Sequence, residues 1–268
     1  MAIIDRLAKV HRKAEIGKEV EIGAFTVIGE HVRIGDGTRI GNNVTIVGHT
    51  EIGEGNTVYH NVVMGTPPQD LNYAGMETRL VIGDENTFRE FVTINVGTEE
   101  GGAVTIIGNR NYLMACCHVA HDCALEDDII MANGCLMAGH TKVESSVVFS
   151  GAAAVHHFTT VGGVAFVGGL TRVVHDVPPY MMVEGDSNKP RRVNSRGMRR
   201  HGCSDEAVAA VERAYRLIYR SKRLRAEVLD EFERDEALCP EVKRLVAFLR
   251  NVDQGKRGRY LESVRMGW

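Results

Sequence analysis

From Ile4 onward every sixth residue is apolar: Ile4, Val10, Ile16, Ile22, Ile28, Ile34, Ile40, Ile46, Ile52, Val58 and Met64. The same phase returns at Ile82, Phe88 and Ile94, slips by one residue, and then runs from Ile107 to Val173. Against a background of 44% hydrophobic residues, 26 such matches would arise by chance with a probability of roughly one in 10⁹. A period of six is neither the 3.6 of a helix nor the 2 of an isolated strand. It marks a repeat whose single unit cannot bury a core alone.

A second register runs beside the first. Four places after the aliphatic position stands a small or β-branched residue, as at Val20, Thr26, Val32, Thr38, Val44, Thr50, Cys117, Cys123, Cys135, Thr141, Val147 and Ala153. Each unit is therefore one short strand and one corner, and three units of six close one turn of a triangular coil. Large and small inward residues then stack on their counterparts one coil away, at about 4.8 Å. The expected fold is mainly β, a parallel β-helix. Glycines following the aliphatic residue, as in Ile16-Gly17 and Ile34-Gly35, are expected to serve corners with φ > 0.

The repeat breaks twice, at residues 66–79 and 95–103, where loops leave the coil. Val177-Pro178-Pro179-Tyr180 ends it. Two domains are expected, a β-helix over 1–185 and a helical domain over 186–268. In the second, helices are expected over 194–201 before Gly202, after the capping Ser204 with an apolar stripe Val208, Val211, Tyr215 and Ile218, over 224–236, and over 241–251. The tail from Gln254 to Trp268 shows no clear pattern.

Charge separates the same two parts. Residues 1–185 hold 12 Lys+Arg and 22 Asp+Glu, and residues 186–268 hold 20 and 13. The basic C-terminal part is suited to an anionic ligand or an acidic partner. No apolar run reaches membrane-spanning length and no signal peptide opens the chain, so a cytoplasmic protein that does not span a membrane is expected. The six cysteines form no C-x-x-C pair, and Cys117, Cys123 and Cys135 fall in the small inward slot, where a thiol acts as a small hydrophobe.

Five of the eleven histidines fall between positions 118 and 157: His118, His121, His140, His156 and His157. Histidine moves protons near neutral pH, and an adjacent acid such as Asp122 fixes its tautomer and stabilises the imidazolium. The coil length sets Gly139 and His140 beside His121, with His157 two coils away in the same column. A glycine N–H in that place suits an oxyanion formed during acyl transfer. The competing readings are a solvated polar stack and a metal site. Since no ligand spacing singles out a metal, none is expected.

Gln69-Asp70-Leu71, Tyr73-Ala74-Gly75, His118-Val119-Ala120-His121-Asp122-Cys123, Ala138-Gly139-His140, Asp176-Val177-Pro178-Pro179-Tyr180 and Tyr215-Arg216-Leu217-Ile218-Tyr219-Arg220 resemble the UDP-N-acetylglucosamine O-acyltransferase family. This family performs the first acylation of lipid A synthesis, and the resemblance spans nearly the whole chain. It implies a left-handed β-helix, an exception to the usual crossover hand. It also implies a homotrimer with sites between subunits, acting on 3-hydroxyacyl carrier protein and a UDP-sugar, without cofactor, nucleic acid or metal. By the same resemblance His121 is the general base, Asp122 supports it, and the Gly139 amide binds the oxyanion. Asp70, His118, His140 and His156 match positions that hold the sugar nucleotide, with His157 among them. Gly169 matches the floor of the acyl groove, and Asn194 and Arg200 match residues near the pantetheine arm and the phosphates.

Several residues depart from the family pattern: Asn72, Asn95-Val96 before Gly97-Thr98, His157, Arg196 and His201. Most are expected around the acceptor pocket, which keeps a 3-amino UDP-sugar, and hence N-acylation, as an alternative acceptor chemistry. The later N-acyltransferase of lipid A synthesis usually carries an additional N-terminal domain, and with the repeat starting at Ile4 none is expected here. A non-catalytic scaffold predicts that His121→Ala changes no activity.

Overall fold

The computed structural model describes residues 1–185 and 189–264. Residues 3–183 wind into a left-handed parallel β-helix of three sheets, in which every strand pairs with the strand one coil away. The ladder repeats at every third unit: Ile4 faces Ile22, Ile22 faces Ile40, and Ile40 faces Val58. Val58 then faces Phe88 and Phe88 faces Leu113, after which Leu113 faces Met131. The step from Val58 to Phe88 is longer than a plain coil by two whole units, which the first loop supplies. That insertion keeps the phase of six. The step from Phe88 to Leu113 is longer by one unit and a single residue, and the second loop thereby produces the one-residue slip seen in the sequence.

The aliphatic and small columns form one continuous core from Val20 to Val183. Each such side chain taken out of water contributes about 1.5–3 kcal/mol. The first coil is the exception. Ile4 is 44% exposed, and Val10 and Ile16 are half-buried, because no coil lies beneath them. Cys117, Cys123 and Cys135 are buried in the small column, and burial pushes the Cys123 thiol up to about 12, so no thiolate forms there near neutral pH. All six cysteines are unpaired.

The small column also holds a buried asparagine ladder that the pattern did not single out. Asn86 N–H and Nδ2 donate to Asn56 Oδ1 at 2.9 and 3.0 Å. Asn86 Oδ1 in turn accepts from Asn111 N–H at 2.8 Å, and Asn111 Oδ1 from Ile129 N–H at 2.8 Å.

The corners differ from expectation. Most residues with positive φ are not glycine; they include Asp122 (58°), His140 (60°) and Phe158 (60°), one above another on successive coils. The glycines that follow the aliphatic residue serve close approach instead. A Cβ on Gly35 would lie 2.5 Å from the carbonyl carbon of Gly53 in the next coil.

The coil also runs beyond Tyr180. Met181–Val183 adds a further parallel strand, with Val183 facing Val167, before Arg192–Val193 returns antiparallel to it. Among the described residues five helices follow: α1 (Ser195–Arg200), α2 (Asp205–Tyr219), α3 (Arg225–Arg234), α4 (Pro240–Gln254) and α5 (Tyr260–Val264). Ser204 Oγ caps α2 by accepting from Ala207 N–H, and the stripe Val208, Val211, Tyr215 and Ile218 is buried against the other helices. The helical layer is tied to the coil by Arg244, whose guanidinium meets Glu144 at 2.7 Å. Helix α5 falls in the tail that shows no pattern in sequence.

Candidate active site

Two adjacent columns at one corner of the coil carry His121, His140 and His157. One holds His121, Gly139 and His157; the next holds Asp122, His140 and Phe158. Backbone bonds lock the stack, since His140 N–H donates to the His121 carbonyl at 3.0 Å and Phe158 N–H to the Gly139 carbonyl at 3.3 Å. The left-handed corner conformation turns the Asp122 carboxylate beneath its own neighbour, and His121 Nδ1 lies 2.7 Å from Asp122 Oδ2.

The Asp122 side chain is fully buried. Its Oδ1 accepts from Thr98 N–H at 2.8 Å and its Oδ2 from Thr98 Oγ1 at 2.6 Å. Burial pushes its pKa up, but hydrogen bonds from His121 and Thr98 together outweigh burial and hold the carboxyl below its ordinary range. An ionised Asp122 accepts from Nδ1, which places the proton of a neutral His121 on Nδ1 and leaves Nε2 with a free lone pair.

Gly139 makes room for that ring. A Cβ on Gly139 would lie 2.5 Å from His121 Cε1 and 2.6 Å from Nε2. The Gly139 N–H has no acceptor among the described residues. The His121 ring and a backbone donor without an acceptor among the described residues thus sit together, one coil apart.

His140 crosses His121 edge-on with centroids 5.1 Å apart, places Nε2 3.8 Å from Asp122 Oδ2, and stacks on Phe158 at 4.4 Å. His121, Asp122 and His140 each offer one ligand atom within 4.8 Å of the others. A cation there would compete for Asp122 Oδ2 with both His121 and Thr98. His118 Nδ1 lies 2.7 Å from Thr93 Oγ1, and burial, followed by the nearby His121, lowers its pKa. His156 and His157 pack together with centroids 3.8 Å apart, and burial, then His156, lowers the pKa of His157.

A cavity of about 400 Å³ opens on Asp122 and His140, with Phe158, Lys142, Leu261 and Val264 in its walls. Thr98, Phe158 and the two α5 residues were missed in the sequence. Phe158 is readable, standing one coil after His140. Thr98 and α5 come from a loop and a tail that follow no period.

The remaining expected residues lie apart. Asp70 stands in the first loop, where its carboxylate accepts from Asn72 N–H at 2.9 Å, and no hydrogen bond joins it to the histidines among the described residues. Gly169 occupies an exposed corner against Ser150 and Gly151. Asn194 caps α1, accepting from Gly197 N–H at 3.0 Å and donating to the Val164 carbonyl at 2.7 Å. It lines a second cavity of about 670 Å³ with Arg196, Arg200, His201, Asp128 and Phe166.

Two of the departures do not face a pocket. Val96 belongs to the core, and Asn95 is buried with Nδ2 donating to Thr66 Oγ1 and the Pro67 carbonyl, both at 3.0 Å. Asn95 thus pins the start of the loop that carries Asp70. Arg196 and His201 line the second cavity, and Asn72 lies within the exposed loop.

Known proteins resemble this chain over most of its length. Residues 176–259 match the family model described as UDP N-acetylglucosamine O-acyltransferase, domain 2, and residues 31–66 match the bacterial transferase hexapeptide model. A Synechocystis sp. acyl-[acyl-carrier-protein]–UDP-N-acetylglucosamine O-acyltransferase is 46% identical over 217 residues, 80% of this chain and 78% of that one. The crystal structure of the UDP-N-acetylglucosamine O-acyltransferase from Moraxella catarrhalis RH4 superimposes with a TM-score of 0.89 at 38% identity, covering 92% of this chain and 96% of that one. The Arabidopsis UDP-N-acetylglucosamine acyltransferase gives 0.81 at 34% identity over 96% and 98%. By its sequence, its coil and its helical layer alike, the chain belongs to the UDP-N-acetylglucosamine O-acyltransferase family and is an acyltransferase.

Proposed function

We propose that the protein transfers a 3-hydroxyacyl group from acyl carrier protein to the glucosamine 3-hydroxyl of UDP-N-acetylglucosamine, the first acylation of lipid A synthesis. The observation that carries this reading is His121 held between a buried carboxylate and an unpaired glycine N–H. His121 Nε2 removes the proton from the 3-hydroxyl as that oxygen attacks the thioester carbon. The carbonyl oxygen takes up negative charge and is met by the Gly139 N–H. On collapse the C–S bond breaks, the new ester remains on the sugar, and the imidazolium returns its proton to the leaving thiolate. Asp122 stabilises the imidazolium between the two transfers.

In this reading His118, His140, His156 and His157 bind the sugar nucleotide together with Asp70. The exposed position of Asp70, away from its own histidines, suits a residue that completes a site with a neighbouring subunit of a homotrimer. Gly169 borders the acyl chain. Asn194 and Arg200 serve the carrier protein's arm, Asn194 by holding α1 and Arg200 by its charge. The coil (1–185) then carries the chemistry and the basic part (186–268) the docking of an acidic carrier protein, in the cytoplasm where that carrier works. None of the described helices is long and apolar enough to cross a membrane.

The test is to incubate the protein with UDP-N-acetylglucosamine or its 3-amino analogue and 3-hydroxyacyl carrier proteins of several chain lengths. Acyl transfer to the 3-hydroxyl is expected. No product with any pair would sink the reading, and transfer to the amine alone would replace the acceptor.

A further inference from the structure

The last described segment, residues 256–264, reaches back across the end of the coil to the catalytic corner. Three contacts fasten it. Asp176 Oδ1 accepts from Thr160 N–H of the coil at 2.7 Å while Oδ2 accepts from Tyr260 N–H of the segment at 2.8 Å. The Asp176 N–H donates to the Gly258 carbonyl at 2.8 Å. Arg259, 4% exposed, donates through Nη1 to the Val174 carbonyl at 2.7 Å and is paired with the buried Glu262. One carboxylate thus bridges coil and segment, and one buried ion pair sits at the joint.

Beyond the joint, α5 places Leu261 and Val264 across the cavity from His140, Phe158 and Asp122. Arg259 and Glu262 are also close enough to His157 to act on its charge. Without the segment, the Asp122–His140 side of the cavity would open to water. A dry wall strengthens the pull of Asp122 on a charged imidazole.

We propose that residues 256–264 form a wall of the cavity on Asp122 and His140, next to the catalytic His121 and Gly139, and that Asp176 is the positioning residue holding it in place. The proposal rests on reading that cavity as the site of acyl transfer. Leu261 and Val264 supply the apolar face of the wall. Gly258 is part of the joint: its φ is 70°, and a Cβ there would lie 2.6 Å from the His175 ring.

Two readouts separate the joint from the chemistry. Amide hydrogen exchange of residues 256–264 is expected to speed up about tenfold or more in Asp176→Ala and, independently, in Gly258→Ala. The same variants are expected to lose about tenfold in kcat/KM for acyl transfer, with the trimer intact. The double variant L261A/V264A keeps the joint, and is expected to lose about fivefold in kcat/KM while Asp176 and Arg259 stay protected. Unchanged exchange in both Asp176→Ala and Gly258→Ala overturns the joint. Faster exchange with wild-type kcat and KM overturns the wall. A wild-type protein that transfers no acyl group overturns the proposed reaction and the wall's part in it, whereas the exchange measurement still decides the joint.

Discussion

The backbone at Gly139 runs so close to His121 that a methyl group there would lie 2.6 Å from Nε2, the nitrogen left free by the bond to Asp122. Gly139→Ala is therefore expected to displace the ring and to block the space where the attacking oxygen stands in the proposed reaction. A fall in kcat of about 10² or more is expected, since one misplaced catalytic group costs that much. The check is steady-state kinetics beside a melting curve, in which Tm should move little.

His121→Ala is expected to lower kcat by about 10²–10⁴, the usual contribution of a positioned base. Asp122→Asn should produce a similar loss by a different route, because the amide no longer enforces the tautomer with the Nδ1 proton. Near-wild-type turnover in His121→Ala, measured on protein whose oligomeric state is unchanged, would remove His121 as the base and revive the scaffold reading.

Asp176 makes stability depend on pH in an unusual direction. Burial raises its pKa from the ordinary 3.8 to about 6, against the pull of Thr160 N–H, Tyr260 N–H and Arg259. The folded state therefore holds the proton more tightly than the unfolded chain. The corresponding stability is present below about pH 4 and is lost as pH rises through about 6, by up to about 3 kcal/mol. Asp176→Asn cannot titrate, so wild-type stability measured against this variant should decline across that window. A flat difference would show that the carboxyl titrates normally.

Asn86→Ala is expected to destabilise the coil by about 2–4 kcal/mol, because it strands the buried Asn111 N–H and removes the Nδ2 bonds to Asn56 and the Gly108 carbonyl. Thr87→Ala, at the next position and on the outer face, should stay within about 0.5 kcal/mol. Chemical denaturation of the two variants side by side tests the contrast.

The coil was legible because its cause is local: an aliphatic residue every six places is both the sequence signal and the core. The same arithmetic put Gly139 and His140 beside His121. What the period could not show was anything outside it. Thr98, which fastens Asp122 with two hydrogen bonds, lies in a loop, and Leu261 and Val264 lie in a tail whose position depends on Asp176, far back in the chain from its partner Tyr260. The glycines misled for a physical reason. Corners demand positive φ at one residue and bare backbone at another, and the second demand is the one that falls on glycines such as Gly17 and Gly35 after the aliphatic residues. Asn95 and Val96 look like pocket residues in sequence, yet they are buried beneath a loop and shape it from below.

The two loops leave and rejoin ladders that stay in register on either side, whether the splice is a whole number of units or one residue more. Registration is thus enforced by the neighbouring coil, and the length of chain between strands is free to vary. A domain built this way can acquire new surface chemistry by lengthening any corner, with no adjustment of its interior. It also hides its own extent: the hexapeptide match stops at residue 66, where the first splice begins, although the coil continues to Val183.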